Sequence, residues 1–92
     1  MPFLLISALA LTRLKTQPCM CCGQAADDAH HLIGWGQGGV GTKAHDIFSI
    51  PLCRKHHRTL HHDPVAFERE YGTQPELIIK LLDRAYALGV LA

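Results

Sequence analysis

Residues 53–62 read Cys53-Arg54-Lys55-His56-His57-Arg58-Thr59-Leu60-His61-His62, and this stretch decides the fold of the chain. It holds four of the seven histidines and one of the four cysteines. Cys53 and His56 have the Cys–x–x–His spacing of a zinc knuckle that runs into a helix, whereas His57 and His61 lie one helical turn apart on one face. The stretch therefore predicts a helix that begins at one metal site and carries histidines for a second.

Both sites need further ligands, and the chain has them upstream in Cys19-Met20-Cys21-Cys22 and His30-His31. Gly23, directly after the cysteines, predicts a tight turn with a positive φ at this glycine. Three of the four cysteines lie within four positions, too close to pair comfortably with one another, so zinc is favoured over disulfides. A chain of 92 residues buries only a small core, and a bound metal commonly stabilises a domain of this size. Reduced thiols imply a reducing compartment, so we expect a cytoplasmic protein.

The formal net charge of +1 excludes a strongly basic nucleic-acid binder. A local basic patch is still predicted, because Arg54, Lys55 and Arg58 lie beside the histidines. Affinity for a polyanion should then be modest and should fall steeply with salt.

Residues 2–14 form the longest apolar run, which is too short to span a bilayer. In a signal peptide the basic residues precede the apolar run, whereas here Arg13 and Lys15 lie at its end or after it. We therefore expect this segment to pack on the core as a helix or strand, and we expect no membrane partner.

Two short β-prone segments flank a glycine-rich loop. Residues 29–33 predict a strand that ends at Gly34, and residues 46–52 predict a second strand that ends near Pro51. Five glycines in residues 34–43 predict a loop between them. On a strand, neighbouring side chains point to opposite faces, so His30 and His31 must have different roles.

Two further helices are predicted after the histidine-rich one. Asp63-Pro64 has the N-cap and first-turn residues of a helix that Gly72 ends. Thr73-Gln74-Pro75-Glu76 is a capping box in front of a helix that Gly89 ends. We assign this last helix to core packing, through an amphipathic stripe of Leu77, Ile78, Leu81, Leu82, Ala85 and Leu88.

A strand with two histidines, a loop, a second strand and a helix with more histidines is a ββα-metal arrangement. The runs Ala29-His30-His31-Leu32-Ile33-Gly34 and Pro51-Leu52-Cys53-Arg54-Lys55-His56-His57, with Asp46 between them, resemble the HNH endonuclease motif. Residues 19–92 more closely resemble a phage and prophage family of small HNH domains that includes the recombination-enhancement nuclease, whose activity depends on RecA. Residues 1–18, the apolar segment, fall outside the resemblance.

The resemblance implies an α+β fold: a zinc-stapled ββα-metal core, treble-clef-like at its zinc, followed by two C-terminal helices. It implies a divalent-metal-dependent endonuclease that hydrolyses phosphodiester bonds in single-stranded or duplex DNA with little base specificity, in phage or prophage recombination. A RecA filament is a further partner that only the resemblance suggests.

Residue roles follow from the same resemblance. The structural zinc would be held by Cys19, Cys22, Cys53 and His56, and the catalytic metal, Mg²⁺ or Mn²⁺, by His30, His57 and His61. Because imidazole suits Mn²⁺ better than Mg²⁺, we expect activity with Mn²⁺ at least equal to that with Mg²⁺.

His31 matches the general base of the family. Asp46 stands where the motif usually has Asn, the residue that orients this base. A carboxylate can accept a proton from His31, but it cannot donate an amide hydrogen bond. Phosphates would be positioned by Arg54, Lys55, Arg58 and Lys43.

Two other classes of function compete with the nuclease. A non-catalytic treble-clef zinc finger that binds DNA or protein would need the cysteines and His56, but it leaves His30, His31, His57 and His61 without a role. A thiol redox module built on Cys19 and Cys22 lacks a thioredoxin-like βαβ setting. We therefore favour the nuclease.

Overall fold

A two-stranded antiparallel hairpin organises the computed structural model, which describes residues 8–34 and 48–89, residue 8 by its backbone alone. Strand β1 is Asp28–His31 and strand β2 is Ser49–Leu52. His30 lies opposite Ile50, and His31 lies opposite Ser49. The two predicted strands are confirmed. The loop and the predicted roles of Lys43 and Asp46 lie outside the described residues.

Pro51 is tolerated inside β2 because its backbone faces away from β1. Its carbonyl accepts a hydrogen bond from the Met20 amide at 3.0 Å. In an antiparallel strand the nitrogen and carbonyl of one residue point to the same side, so the missing N–H of Pro51 costs no bond to β1. The contact also docks the cysteine turn on the hairpin.

The described part of the chain contains four helices: α1 (Ala8–Lys15), α2 (Arg54–His62), α3 (Pro64–Tyr71) and α4 (Gln74–Ala87). With the hairpin they make an α+β fold, as predicted. Helix α2 packs on both strands, while α1 and α4 pack on β2 and on each other. None of the described helices has the length and apolar character needed to cross a membrane.

Local capping chemistry sets the helix boundaries in the second half of the chain. The Asp63 carboxylate accepts a hydrogen bond from the Ala66 amide at 3.0 Å and so caps α3. Thr73 and Glu76 form the predicted capping box of α4, since the Thr73 amide donates to Glu76 Oε1 at 2.8 Å and the Glu76 amide donates to Thr73 Oγ1 at 3.2 Å. Gly72, between the two helices, has φ of 108°, which favours glycine.

The core joins the hairpin to the helices. Ile50, Leu52 and Leu60 are fully buried in one cluster, together with Phe67, Leu77 and Ile78. A second cluster brings Leu14 of α1 against Leu81 and Ala85 of α4, so the apolar N-terminal segment packs on the core where it is described. The prediction for Leu88 is wrong: its side chain is 65% exposed, because α4 ends before the stripe reaches it.

Candidate metal centres

Three local structures bring the first set of metal ligands together. Residues 19–23 form a tight turn in which the Cys19 amide donates to the Gln24 carbonyl at 2.8 Å, and Gly23 has the predicted positive φ, 76°. Cys53 directly follows β2 and is the N-cap of α2, so His56 lies on the first turn of that helix. The Asp27 carboxylate accepts a hydrogen bond from the Arg54 amide at 2.7 Å and fixes the start of α2.

The ligand atoms of Cys19, Cys22, Cys53 and His56 all lie within 4.8 Å of one another. Cys22 Sγ is 3.9 Å from Cys53 Sγ, and His56 Nδ1 is 3.1 Å from Cys53 Sγ and 3.8 Å from Cys19 Sγ. With metal–ligand lengths of about 2.3 Å for sulfur and about 2.05 Å for nitrogen, these separations correspond to angles of about 90° to 120°, scattered around the tetrahedral value. Three thiolates and one imidazole are a donor set typical of structural zinc, so this cluster could hold a zinc ion.

The fourth cysteine, Cys21, is not among the clustered ligand atoms. Burial, together with the neighbouring Cys19, raises the pKa of Cys21 to about 12, so this thiol stays protonated. The pKa of Cys19 is lowered on balance: burial raises it, but hydrogen bonds from the backbone amides of residues 53, 21 and 22 more than offset the burial. One of them, the Cys21 amide, lies 3.4 Å from Cys19 Sγ.

Replacing Cys22 by serine should lower the zinc content of the purified protein from one ion to a small fraction per chain. The matched replacement Cys21→Ser should leave it at one, since Cys21 is the neighbouring residue in the same turn but not a ligand. Elemental analysis of both variants after gel filtration measures this difference. Zinc lost from Cys21→Ser and kept by Cys22→Ser would contradict the assignment.

A second set of ligands lies on the hairpin and α2. His30 of β1 is 2% exposed, and His57 and His61 lie one turn apart on α2. His57 Nε2 is 3.1 Å from His30 Nδ1 and 3.1 Å from His61 Nε2. If these nitrogens bind one ion at about 2.1 Å, the two separations correspond to angles of about 95°, which leaves positions open on the opposite side.

Two of these imidazoles have a hydrogen-bond partner on their other nitrogen. His57 Nδ1 lies 3.0 Å from Asp28 Oδ2, and His30 Nε2 lies 3.1 Å from Gln74 Oε1. The hydrogen bond from His57, helped by Arg54 at 3.4 Å, lowers the pKa of Asp28. A carboxylate behind a histidine is a common outer partner of a metal ligand, which it orients with the free nitrogen toward the ion.

The protonation state of His30 suits a metal ligand. Burial lowers the pKa of His30 to about 4, so the ring is neutral at pH 7 and keeps a lone pair on one nitrogen. The donor set of His30, His57 and His61 therefore fits a divalent transition metal.

Four of the other predicted site residues lie in the described part of the chain, and none of them is among the clustered ligands. His31 follows His30 on β1 and is half-buried. Because neighbouring side chains of a strand point to opposite faces, His31 lies on the other face from His30. Arg54, Lys55 and Arg58 are exposed on α2. His62, at the end of α2, is exposed and is not among the clustered ligands.

Sequence reasoning missed Asp28 and Gln74. The pair Asp27-Asp28 directly before a histidine strand was a usable signal, because carboxylates are common partners of ligating histidines. Gln74 gave no such signal, since it lies within a capping box that explains the local sequence by itself. The assignment of α4 to core packing alone is therefore incomplete.

Comparisons with known proteins give a family. A family model described as "Protein of unknown function (DUF968)" matches residues 7–89. The "Uncharacterized protein YdfU" of Escherichia coli (strain K12) is 70% identical over 79 residues, which cover 86% of this chain and 23% of that protein. The chain thus spans less than a quarter of the length of this curated relative. No solved structure matches the chain.

Proposed function

This chain belongs to the DUF968 family, and we propose that it is a divalent-metal-dependent DNA endonuclease of the HNH kind, with a ββα-metal core stapled by zinc. One observation carries the proposal: His30 from a strand and His57 and His61 from the next helix converge beside a separate cluster of three cysteines and one histidine. An inert zinc finger needs only the cysteine cluster. The second cluster, with its outer partners, is what hydrolysis of a phosphodiester would use.

The chemistry requires a base and a cation. A divalent ion held by the three histidines would stabilise negative charge on the phosphate and on the departing oxygen. His31, at the adjacent position of the same strand, would remove a proton from the attacking water, because a neutral imidazole nitrogen can accept one. Asp46 would orient His31, as the HNH resemblance implies.

The exposed cations of α2 would hold the DNA backbone. Arg54 and Arg58 lie three positions before His57 and His61 on α2, so a phosphate bound by them would lie near the cluster. Lys55 shares the helix and would contact the DNA backbone to one side of the cluster. Lys43 would add a contact from the loop. Such contacts position the backbone but do not read bases, so cleavage should show little sequence preference. RecA remains a proposed partner, supported by the resemblance alone.

Replacing His31 by alanine tests the proposal, because loss of a general base typically costs about 10²- to 10⁴-fold in rate. We expect wild-type protein to nick supercoiled plasmid or cut single-stranded DNA, with Mn²⁺ at least as effective as Mg²⁺. His31→Ala should lose this cleavage. The assay includes arms with and without RecA and ATP.

The zinc content of both proteins must match, so that loss of the fold does not imitate loss of the base. If neither protein cuts under any condition and both bind DNA equally, the catalytic proposal fails, and the treble-clef zinc finger takes its place. A His31→Ala variant that cuts as fast as wild type would instead remove His31 from its role.

A further inference from the structure

Gln74 is a buried polar residue at the start of α4, with a side chain that is 1% exposed. It lies 44 positions from His30 in sequence, yet its Oε1 is 3.1 Å from His30 Nε2. We propose that Gln74 is a positioning residue that holds the His30 ring in the orientation and tautomer a metal ligand needs. This inference rests on the metal-binding role proposed for His30.

The orientation of the Gln74 amide is fixed by its other partners. Its nitrogen donates to the Ile33 carbonyl at 3.1 Å and to Glu68 Oε2 at 3.3 Å. Its oxygen accepts from the Ile33 amide at 3.0 Å. A flipped amide would place the NH₂ group against the Ile33 N–H, and the oxygen against the Ile33 carbonyl and the Glu68 carboxylate. Gln74 Oε1 must therefore face His30 as an acceptor.

An acceptor at this place determines which nitrogen of His30 carries the proton. His30 Nε2 must donate to Gln74 Oε1, which leaves the lone pair on Nδ1, the atom 3.1 Å from His57 Nε2. Asp28 selects the opposite tautomer in His57, because Asp28 Oδ2 accepts from His57 Nδ1 and leaves His57 Nε2 free. Two acceptors from different elements thus turn two histidines toward one point.

Glu68 completes the arrangement. Its Oε2 also accepts from the Gln74 backbone amide at 2.9 Å, so one carboxylate holds both the backbone and the side chain of Gln74. Helices α3 and α4 therefore reach the histidine cluster through a chain of hydrogen bonds, Glu68 to Gln74 to His30. The C-terminal helices act on the site as well as on the core.

Cobalt binding to zinc-loaded, full-length chain tests this inference without any assay of activity. Cobalt at an all-histidine site gives d–d absorption without the thiolate charge-transfer bands that a cysteine site would show, so the spectrum identifies the site being filled. Gln74→Met keeps the size of the side chain but replaces the amide oxygen with a thioether sulfur, a much weaker acceptor for His30. We expect it to weaken cobalt binding by about 10- to 100-fold, the usual loss for an outer partner of a metal ligand.

Two further variants separate positioning from folding. Thr73→Ala removes the cap of the same helix without touching His30, and its cobalt affinity should stay near that of wild type. Gln74→Glu also offers an oxygen to His30, but it should not recover the affinity, because its second oxygen would lie against the Ile33 carbonyl and the Glu68 carboxylate. In the metal-free state of the second cluster, two-bond ¹H–¹⁵N NMR spectra should show the proton of His30 on Nε2 in wild type and redistributed in Gln74→Met.

Several results would overturn the inference: equal cobalt affinity of Gln74→Met and wild type, an equal loss in Thr73→Ala, or a wild type that binds no cobalt beside its zinc. The nuclease proposal is tested separately, by cleavage. Cobalt binding that depends on Gln74 in a protein that cuts no DNA would support the positioning role and refute only the nuclease.

Discussion

Removing the zinc should unfold the domain. Cys53 belongs to the cluster that could hold zinc, is the N-cap of α2 and is a member of the main core cluster, so a bound zinc would join the hairpin, the cysteine turn and the helix at one point. Structural zinc contributes an apparent free energy of about 10 to 16 kcal/mol in small zinc domains. Domains of this size are stable by only about 5 to 15 kcal/mol in total. We therefore expect a strong chelator at pH 7 to abolish the helical circular dichroism and the cooperative thermal transition.

Controls for this experiment come from readdition of metal and from the second cluster. Zinc restored under reducing conditions should return the signal, and His61→Ala should keep both zinc and fold, because its ring is exposed and belongs to the other ligand set. Cys53→Ala should behave like the chelated protein. An unchanged thermal transition after complete removal of zinc would show that the apolar core keeps the domain folded without a bound metal.

Local sequence rules predicted the parts of the fold that depend on neighbouring residues. The cap at Asp63 and the capping box of Thr73 and Glu76 each join residues three positions apart, so the sequence alone specifies them. The same holds for the cysteine turn, where Gly23 has the expected positive φ. Ligand spacing indicated two metal sites, because Cys–x–x–Cys and a histidine pair one helical turn apart have fixed geometry, and the HNH resemblance supplied the ligand set of each.

The outer partners of the histidine cluster were not predicted. Asp28 reaches His57 across 29 positions, and Gln74 reaches His30 across 44. Only the packing of α2 and α4 on the hairpin brings these pairs together, and no periodicity or spacing in the sequence encodes it. For Leu88 the sequence predicted a contact that the structure lacks. Its spacing fits the buried stripe of α4, but the helix ends at Ala87 and the Leu88 side chain is exposed.

Replacing His57 by alanine should reduce cleavage strongly and leave the fold intact. His57 Nε2 lies 3.1 Å from the facing nitrogens of both His30 and His61, and its other nitrogen is hydrogen-bonded to Asp28. Its loss removes a ligand and leaves Asp28 without the imidazole that lowers its pKa. Loss of an outer partner alone costs about 10- to 100-fold, so loss of the ligand should reduce cleavage by at least about 100-fold.

His62→Ala is the matched control, since it removes an exposed imidazole from the same helix without touching the cluster. A substitution at an exposed position usually changes the free energy of unfolding by less than about 0.5 kcal/mol. We therefore expect the cleavage rate of His62→Ala to stay within about threefold of wild type. Both variants should keep one zinc ion per chain. Any loss of cleavage can then be attributed to the second cluster. If His57→Ala cuts DNA as fast as His62→Ala, the cleavage does not use the three-histidine cluster. A rate lost in His57→Ala and partly restored by excess Mn²⁺ would place the catalytic ion at these three histidines, because mass action can offset a missing ligand but not a missing base.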